Sequence, residues 1–191
     1  MTRIVLATGN LHKVAELEAL LAPAEVQGAP EGFAPEETGT TLFQNAWIKA
    51  AALRERADPD ATVVADDSGL VVHALGGRPG IFSARYAGPD ATYEDNCRRL
   101  LEELEAVEDR SAAFVCVLVG LAPGDRMLVG CGVCAGTIAP ALRGAGGFGY
   151  DPLFLPDGGP RSMAEMSGPE KAAISHRGRA ARRLAELLGE G

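Results

Sequence analysis

The stretch "RIVLATGNLHKVAELEALLA" (residues 3–22) decides the fold class. It begins as a buried strand, "RIVLAT", and passes through a glycine into a segment whose apolar positions change period. Leu11, Val14, Leu17, Leu20 and Leu21 recur at helical spacing, so a helix follows the strand. A strand–Gly–helix junction is a common phosphate-binding device, because backbone N–H groups at a helix N-terminus point outward. The segment Thr8-Gly9-Asn10-Leu11-His12-Lys13 is neither a Walker loop nor a dinucleotide fingerprint. Lys13 falls in the first helical turn and adds positive charge there, with His12 expected as a solvated neighbour.

A second junction is "TVVADDSGL" (residues 62–70). A buried strand is expected to end at Asp66-Asp67, with Ser68-Gly69 opening a polar loop. In open α/β sheets ligands sit beyond the carboxyl ends of strands. A carboxylate there can bind Mg²⁺ or take a proton from an attacking water. The plainer reading is that two Asp residues cap a turn, which Asp favours.

The remaining chain supports an α/β class. "TTLFQNAWIKAAALRERA" (residues 40–57) makes a helix with Thr40 or Thr41 as N-cap. "TYEDNCRRLLEELEAV" (residues 92–107) makes an amphipathic one. Two long apolar strands flank "APGDR" (residues 122–126), where Gly124-Asp125 suits a hairpin. One closing helix is expected over "PEKAAISHRGRAARRLAELLG" (residues 169–189), with Arg179, Arg182 and Arg183 on its polar side. His73 is expected to be packed. The expectation is a single domain over residues 1–191, without repeats: a mixed central β-sheet flanked by helices. A two-lobed form with a cleft between the lobes fits this pattern.

Composition narrows the function. With 191 residues, 47% hydrophobic and 23% charged, the chain suits an ordinary soluble core. No apolar run has the length of a signal peptide or a membrane span, so a cytoplasmic protein without membrane partners is expected. A net charge of −8, with no Lys/Arg stripe, argues against nucleic-acid binding. A nucleotide is still compatible, given a few local cations and a divalent metal. Lysine is retained at Lys13, Lys49 and Lys171 alone, where a compact ammonium suits phosphate. Cys131 and Cys134 form a C-x-x-C with no second pair to complete a zinc site. On a strand they point to opposite faces, so reduced thiols are expected.

Two further motifs join the junctions. In "GGFGYDP" (residues 146–152), glycines permit close backbone approach, Phe148 and Tyr150 offer faces for a base, and Pro152 holds Asp151. "EKAAISHRG" (residues 170–178) brings Lys171, His176 and Arg177 near one another.

Together, "TGNLHK", "EETGTTLFQNAWIKA", "ADDSGL", "LGGRPGIFSARYAG", "GGFGYDPLF" and "EKAAISHRG" resemble the signature blocks of the inosine triphosphate pyrophosphatase family, the XTP/dITP diphosphatases. The resemblance spans essentially the whole chain. It implies an elongated α/β fold whose two lobes flank the active site, usually as a homodimer. It implies Mg²⁺-dependent cleavage of ITP, dITP and XTP to monophosphate and pyrophosphate, clearing deaminated purines from the nucleotide pool. By motif it implies that Thr8, Gly9, Asn10, Leu11, His12 and Lys13 bind the triphosphate, with Lys49 beside it. Asp67 would be proton acceptor and metal ligand, and Ser68 would neighbour the substrate. Phe148, Gly149, Tyr150, Asp151, Lys171, His176 and Arg177 would contact the nucleotide. Glu36 matches the second metal ligand better than Glu37. Gln44 stands where many relatives carry Glu.

Two other functions compete: a sensor that holds a purine triphosphate without cleaving it, and a pyrophosphatase for modified pyrimidine or methylated nucleotides. The intact Asp67, Glu36 and Lys13 disfavour the first, and "SHRG" disfavours the second.

Overall fold

The strand β1 (Arg3–Leu6) runs through four residues into the helix α1 (Leu11–Leu20), as the change of period requires. A computed structural model describes residues 2–157 and 159–189. Next come β2 (Glu25–Gly28), α2 (Leu42–Arg54), β3 (Thr62–Val72), α3 (Tyr93–Glu103), β4 (Ser111–Ala122), β5 (Arg126–Ile138), β6 (Phe154–Pro156), α4 (Gly168–Ile174) and α5 (His176–Gly189). The strands form one six-stranded sheet in the order β2-β1-β3-β4-β5-β6. β1 pairs in parallel with β2 and β3, whereas β5 and β6 are antiparallel. The sheet is therefore mixed and the fold α/β. Among the described residues no helix is long and apolar enough to cross a membrane.

The chain divides into two compact units. The first comprises Met1–Asp67, Cys116–Gly132 and His176–Gly191, and the second Ser68–Val115 and Val133–Ser175.

In the first unit the alternation of strand side chains sorts the residues into two cores. Ile4, Leu6, Val64, Cys116, Leu118 and Leu128 pack with Leu17 of α1 and Ala180, Ala181 and Leu184 of α5. Ala7, Val63, Ala65, Val117 and Val119 pack with Ala46, Ala50 and Leu53 of α2. Helix α5 sits close on β5 because the strand presents glycines beneath it. A Cβ at Gly130 would lie 2.3 Å from the carbonyl of Ala180, and one at Gly132 would lie 2.0 Å from that of His176. In the second unit Leu70, Val72, Leu100, Leu104, Phe114, Ile138, Leu153 and Phe154 form the core, with Phe114 and Phe154 in tilted ring contact.

Four local expectations need correction. β3 does not end at Asp66-Asp67 but continues to Val72, because each carboxylate meets a lysine on its own face. The expected closing helix is two helices. Ser175 adopts extended backbone (φ −66°, ψ 157°), and α4 has its own capping box from Ser167 and Glu170. His73 is exposed rather than packed, 2.7 Å from Asp109. Leu11, expected on the apolar face of α1, is exposed at the helix start. The hairpin stands as expected, with positive φ at both Gly124 and Asp125, and Thr41 is the N-cap of α2. Three cysteines are buried, Cys131 is exposed, and all are free thiols.

Candidate active site

In the first unit the site begins where β1 gives way to α1. Asn10 is the N-cap, its Oδ1 accepting from the backbone N–H groups of His12 (3.0 Å) and Lys13 (3.3 Å). The N–H of Asn10 in turn donates to Thr8 Oγ1 at 3.2 Å. The turn is therefore braced by its own side chains. It also occupies two of the N–H donors that a bare helix end would offer. Lys13 reaches from the first turn of α1 to Asp66 Oδ1.

Asp66 and Asp67 lie on opposite faces of β3, as adjacent residues of a strand must. Asp66 points to the α1/α5 side, where Arg177 Nε donates to its Oδ2 at 2.9 Å and Cys116 Sγ lies 3.2 Å from the same oxygen. Burial pushes this carboxyl up, but the charges of Arg177 and then Lys13 outweigh burial and hold it well below the usual carboxylate range. Asp67 points to the α2 side, where Lys49 Nζ donates to its Oδ1 at 2.8 Å. Its Oδ2 is buried without a hydrogen-bond partner. Here burial outweighs Lys49 and the additional charge of Lys13, and the carboxyl is raised. Lys49 also donates to Glu37 Oε1 at 2.9 Å. Burial lowers its ammonium, but Asp67 and Glu37 together carry it above the ordinary value.

The segment bearing Glu36 and Glu37 is tied to α2. Asn45 Oδ1 accepts from Gly39 N–H at 2.9 Å, and Gln44 Oε1 accepts from Thr40 N–H at 2.7 Å. A Cβ on Gly39 would lie 2.6 Å from that Asn45 oxygen, so the turn needs glycine. Gln44 therefore works as a local cap through its carbonyl oxygen. Glu36 is exposed and Glu37 half-buried; the contact to Lys49 is made by Glu37.

In the second unit Asp151 organises the "GGFGYDP" turn. Its Oδ2 accepts from Phe148 N–H at 2.8 Å and from Lys171 Nζ at 2.7 Å. Gly147 has φ +69°, and a Cβ there would lie 2.1 Å from that oxygen. The Lys171 ammonium stands 4.9 Å from the centre of the Phe148 ring, a cation–π contact, and Tyr93 borders the same ring at 6.0 Å. Tyr150 departs from expectation. Its ring belongs to the core and its hydroxyl donates to the Ser83 carbonyl at 2.9 Å, so Phe148 is the aromatic face this turn presents. Ser68 is half-buried on β3, and His176 and Arg177 are buried at the start of α5. Gly9 is exposed and Gly149 has positive φ (63°).

The profile of the Ham1 family matches residues 4–187. The chain belongs to the Ham1 family. It is similar to the dITP/XTP pyrophosphatase of Geobacillus kaustophilus, with 47% identity across 100% of this chain and 96% of the relative. It is similar also to the dITP/XTP pyrophosphatase of Gloeobacter violaceus, 46% identical across 96% of this chain and 93% of the relative. Among solved structures, a HAM1 protein from Coxiella burnetii superposes with a TM-score of 0.87 at 42% identity, covering 100% of both chains.

Within this Ham1 chain two buried side chains of structural consequence escaped the motif reading. In the sequence Asp66 stands out only as half of a pair; the alternation of a strand that continues through it is the signal that separates the two. Asn45 looked like an ordinary helix residue, and nothing in its spacing distinguishes it.

Proposed function

We propose that this chain is a nucleoside triphosphate pyrophosphohydrolase that converts dITP, ITP and XTP to the monophosphate and pyrophosphate. The observation that carries the reading is Asp67: one oxygen is held by Lys49 and the other is buried with no partner. An unsatisfied buried carboxylate oxygen is costly, and a cation or an activated water removes that cost. The relatives named as dITP/XTP pyrophosphatases across nearly their full length support the same reading.

The donor set fits Mg²⁺. Asp67 supplies a free hard oxygen, and Glu37 faces it across Lys49. Among the described residues no group of three His, Cys, Asp or Glu side chains could hold a metal alone. That suits an ion that keeps several waters and completes its shell with substrate phosphates. Asp67 and the Glu36–Glu37 pair would hold it, with the geometry favouring Glu37 over the Glu36 expected by motif. When bound it would neutralise phosphate charge and orient water at the α-phosphorus.

The protein's own groups do the rest. Asp67, its carboxyl raised by burial, accepts the proton of the attacking water. Lys49 holds Asp67 and Glu37 in place, and Lys13 offers its ammonium to the departing pyrophosphate. Taken by itself, the second unit presents the Phe148 ring as a face suited to a base and Lys171, fixed by Asp151, as a donor suited to a carbonyl or phosphate oxygen. Hypoxanthine and xanthine present O6 as acceptor and N1–H as donor, and adenine reverses both. A site built on donors to O6 therefore leaves ATP unpaired and can reject it by about 10⁴–10⁵. We also propose that the chain acts in the cytoplasm, as the homodimer its family resemblance implies; light scattering tests the dimer.

The decisive test is product release from ITP, XTP, ATP, GTP and dTTP with Mg²⁺ or EDTA, assaying pyrophosphate and orthophosphate separately. Mg²⁺-dependent pyrophosphate from ITP and XTP, with little from ATP, is the expected result. Orthophosphate alone would show that a different bond breaks, and binding without release would make the chain a sensor. A companion comparison of Glu36→Gln with Glu37→Gln, reading the Mg²⁺ concentration for half-maximal rate, identifies the second ligand.

A further inference from the structure

Asp66 is a buried charge that the proposed mechanism leaves unused. Its side chain has 0% exposure, and it receives Lys13 of α1, Arg177 of α5 and Cys116 of β4. Arg177, itself 2% exposed, donates from Nη1 to Glu16 Oε2 at 2.6 Å. Glu16 lies three residues after Lys13 on the same helix, so the two face the same side of α1. The four groups form an open network of alternating charge, Lys13–Asp66–Arg177–Glu16, that holds α1 at two points. Glycines 130 and 132 of β5 let α5 approach closely enough to bring Arg177 into that network.

We infer that Asp66 is a positioning residue for the reaction, aiming the ammonium of Lys13 at the triphosphate from the strand face opposite Asp67. An ammonium has three donors. The bond to Asp66 fixes its direction and leaves capacity for phosphate oxygens. Arg177 then serves as the anchor of Asp66, engaged behind the phosphate-binding turn. The inference rests on the proposed role of Lys13 as a triphosphate contact. A purely structural ion pair is the alternative, and it predicts a loss that does not depend on Lys13.

A double-mutant cycle in kcat/KM for ITP separates these. Lys13→Ala and Asp66→Asn are made singly and together, with thermal melts alongside. Asp66→Asn is expected to raise KM about tenfold, with kcat less affected, the size of effect expected for coupled neighbours. In the Lys13→Ala background the same exchange is expected to add little. If Asp66→Asn multiplies the Lys13→Ala loss by its full single-mutant factor, the inference is overturned. If Lys13→Ala leaves KM unchanged, the phosphate role of Lys13 fails, whatever Asp66 does. Should Asp66→Asn not fold, Asp66→Glu replaces it in the cycle, since it keeps the charge that Arg177 requires while moving the carboxylate. Coupling to Lys13 supports the inference there too, and a full independent penalty refutes it.

Discussion

The two faces of β3 carry neighbouring carboxylates in opposite electrical circumstances. Asp66 is bound by two cations and held well below the usual carboxylate range, whereas Asp67 has one cation in hydrogen-bond contact, an unpartnered oxygen and a raised value. Both are buried, so burial does not distinguish them; the number of cations in direct contact does. A saturated carboxylate serves as a fixed joint, because every move breaks a strong bond. An unsaturated one retains capacity for a metal or a proton. A single peptide bond separates the joint from the reactive group, and the pleat of the strand keeps their environments apart.

Asp67→Asn gives the largest expected effect. Turnover of ITP should fall by about 10²–10⁴, the contribution of a lost general base, with little change in melting temperature. A destabilised fold with retained turnover would reverse the roles of the two faces. Arg177→Met strikes the other face. Breaking a buried ion pair by removing one partner typically costs about 3–5 kcal/mol, and urea denaturation should show a loss in that range. A loss below about 1 kcal/mol, the scale of exposed pairs, would remove the joint from the comparison.

Glu103 supplies the smallest effect and a control, since it is a paired carboxylate remote in sequence from β3. It accepts from Tyr86 Oη at 2.7 Å and Arg99 Nε at 3.1 Å, and lies 2.8 Å from Arg78. Burial raises this carboxyl, but Tyr86, Arg99 and Arg78 together bring it below its ordinary value. A depressed folded value gives stability that is present above the unfolded value, about 4.3, and is lost as pH falls through the folded value. Wild type should therefore exceed Glu103→Gln by about 1–2 kcal/mol at pH 7, and the two should converge as pH falls through the depressed folded value. A gap that widened on acidification would contradict the sign.

Much of this was legible in the residues. The switch of period at Gly9, the N-cap Thr41 and the Gly124-Asp125 turn are local signals, decided by backbone preferences within a few positions. The three lysines stand out as a set in the sequence, and each meets a carboxylate. What could not be read depends on partners distant in the chain. β3 continues through two acidic residues because Lys13 and Lys49 approach from opposite sides, 53 and 18 residues away. Arg177 reaches Asp66 across 111 residues, a pairing no local pattern encodes. The break at Ser175 was hidden for a different reason. Ala172, Ala173 and Ile174 sustain helical periodicity, and a serine with extended backbone leaves no mark like that of proline or glycine.

The lysines have a consequence for the bench. The sequence holds three, and all three are committed to ion pairs with side chains no more than 16% exposed. Amine-directed acylation or cross-linking of the folded protein therefore has almost no ordinary surface lysine to find. Where such reagents usually map the exterior of a protein, the side-chain amines they label here would be those beside Asp66, Asp67 and Asp151.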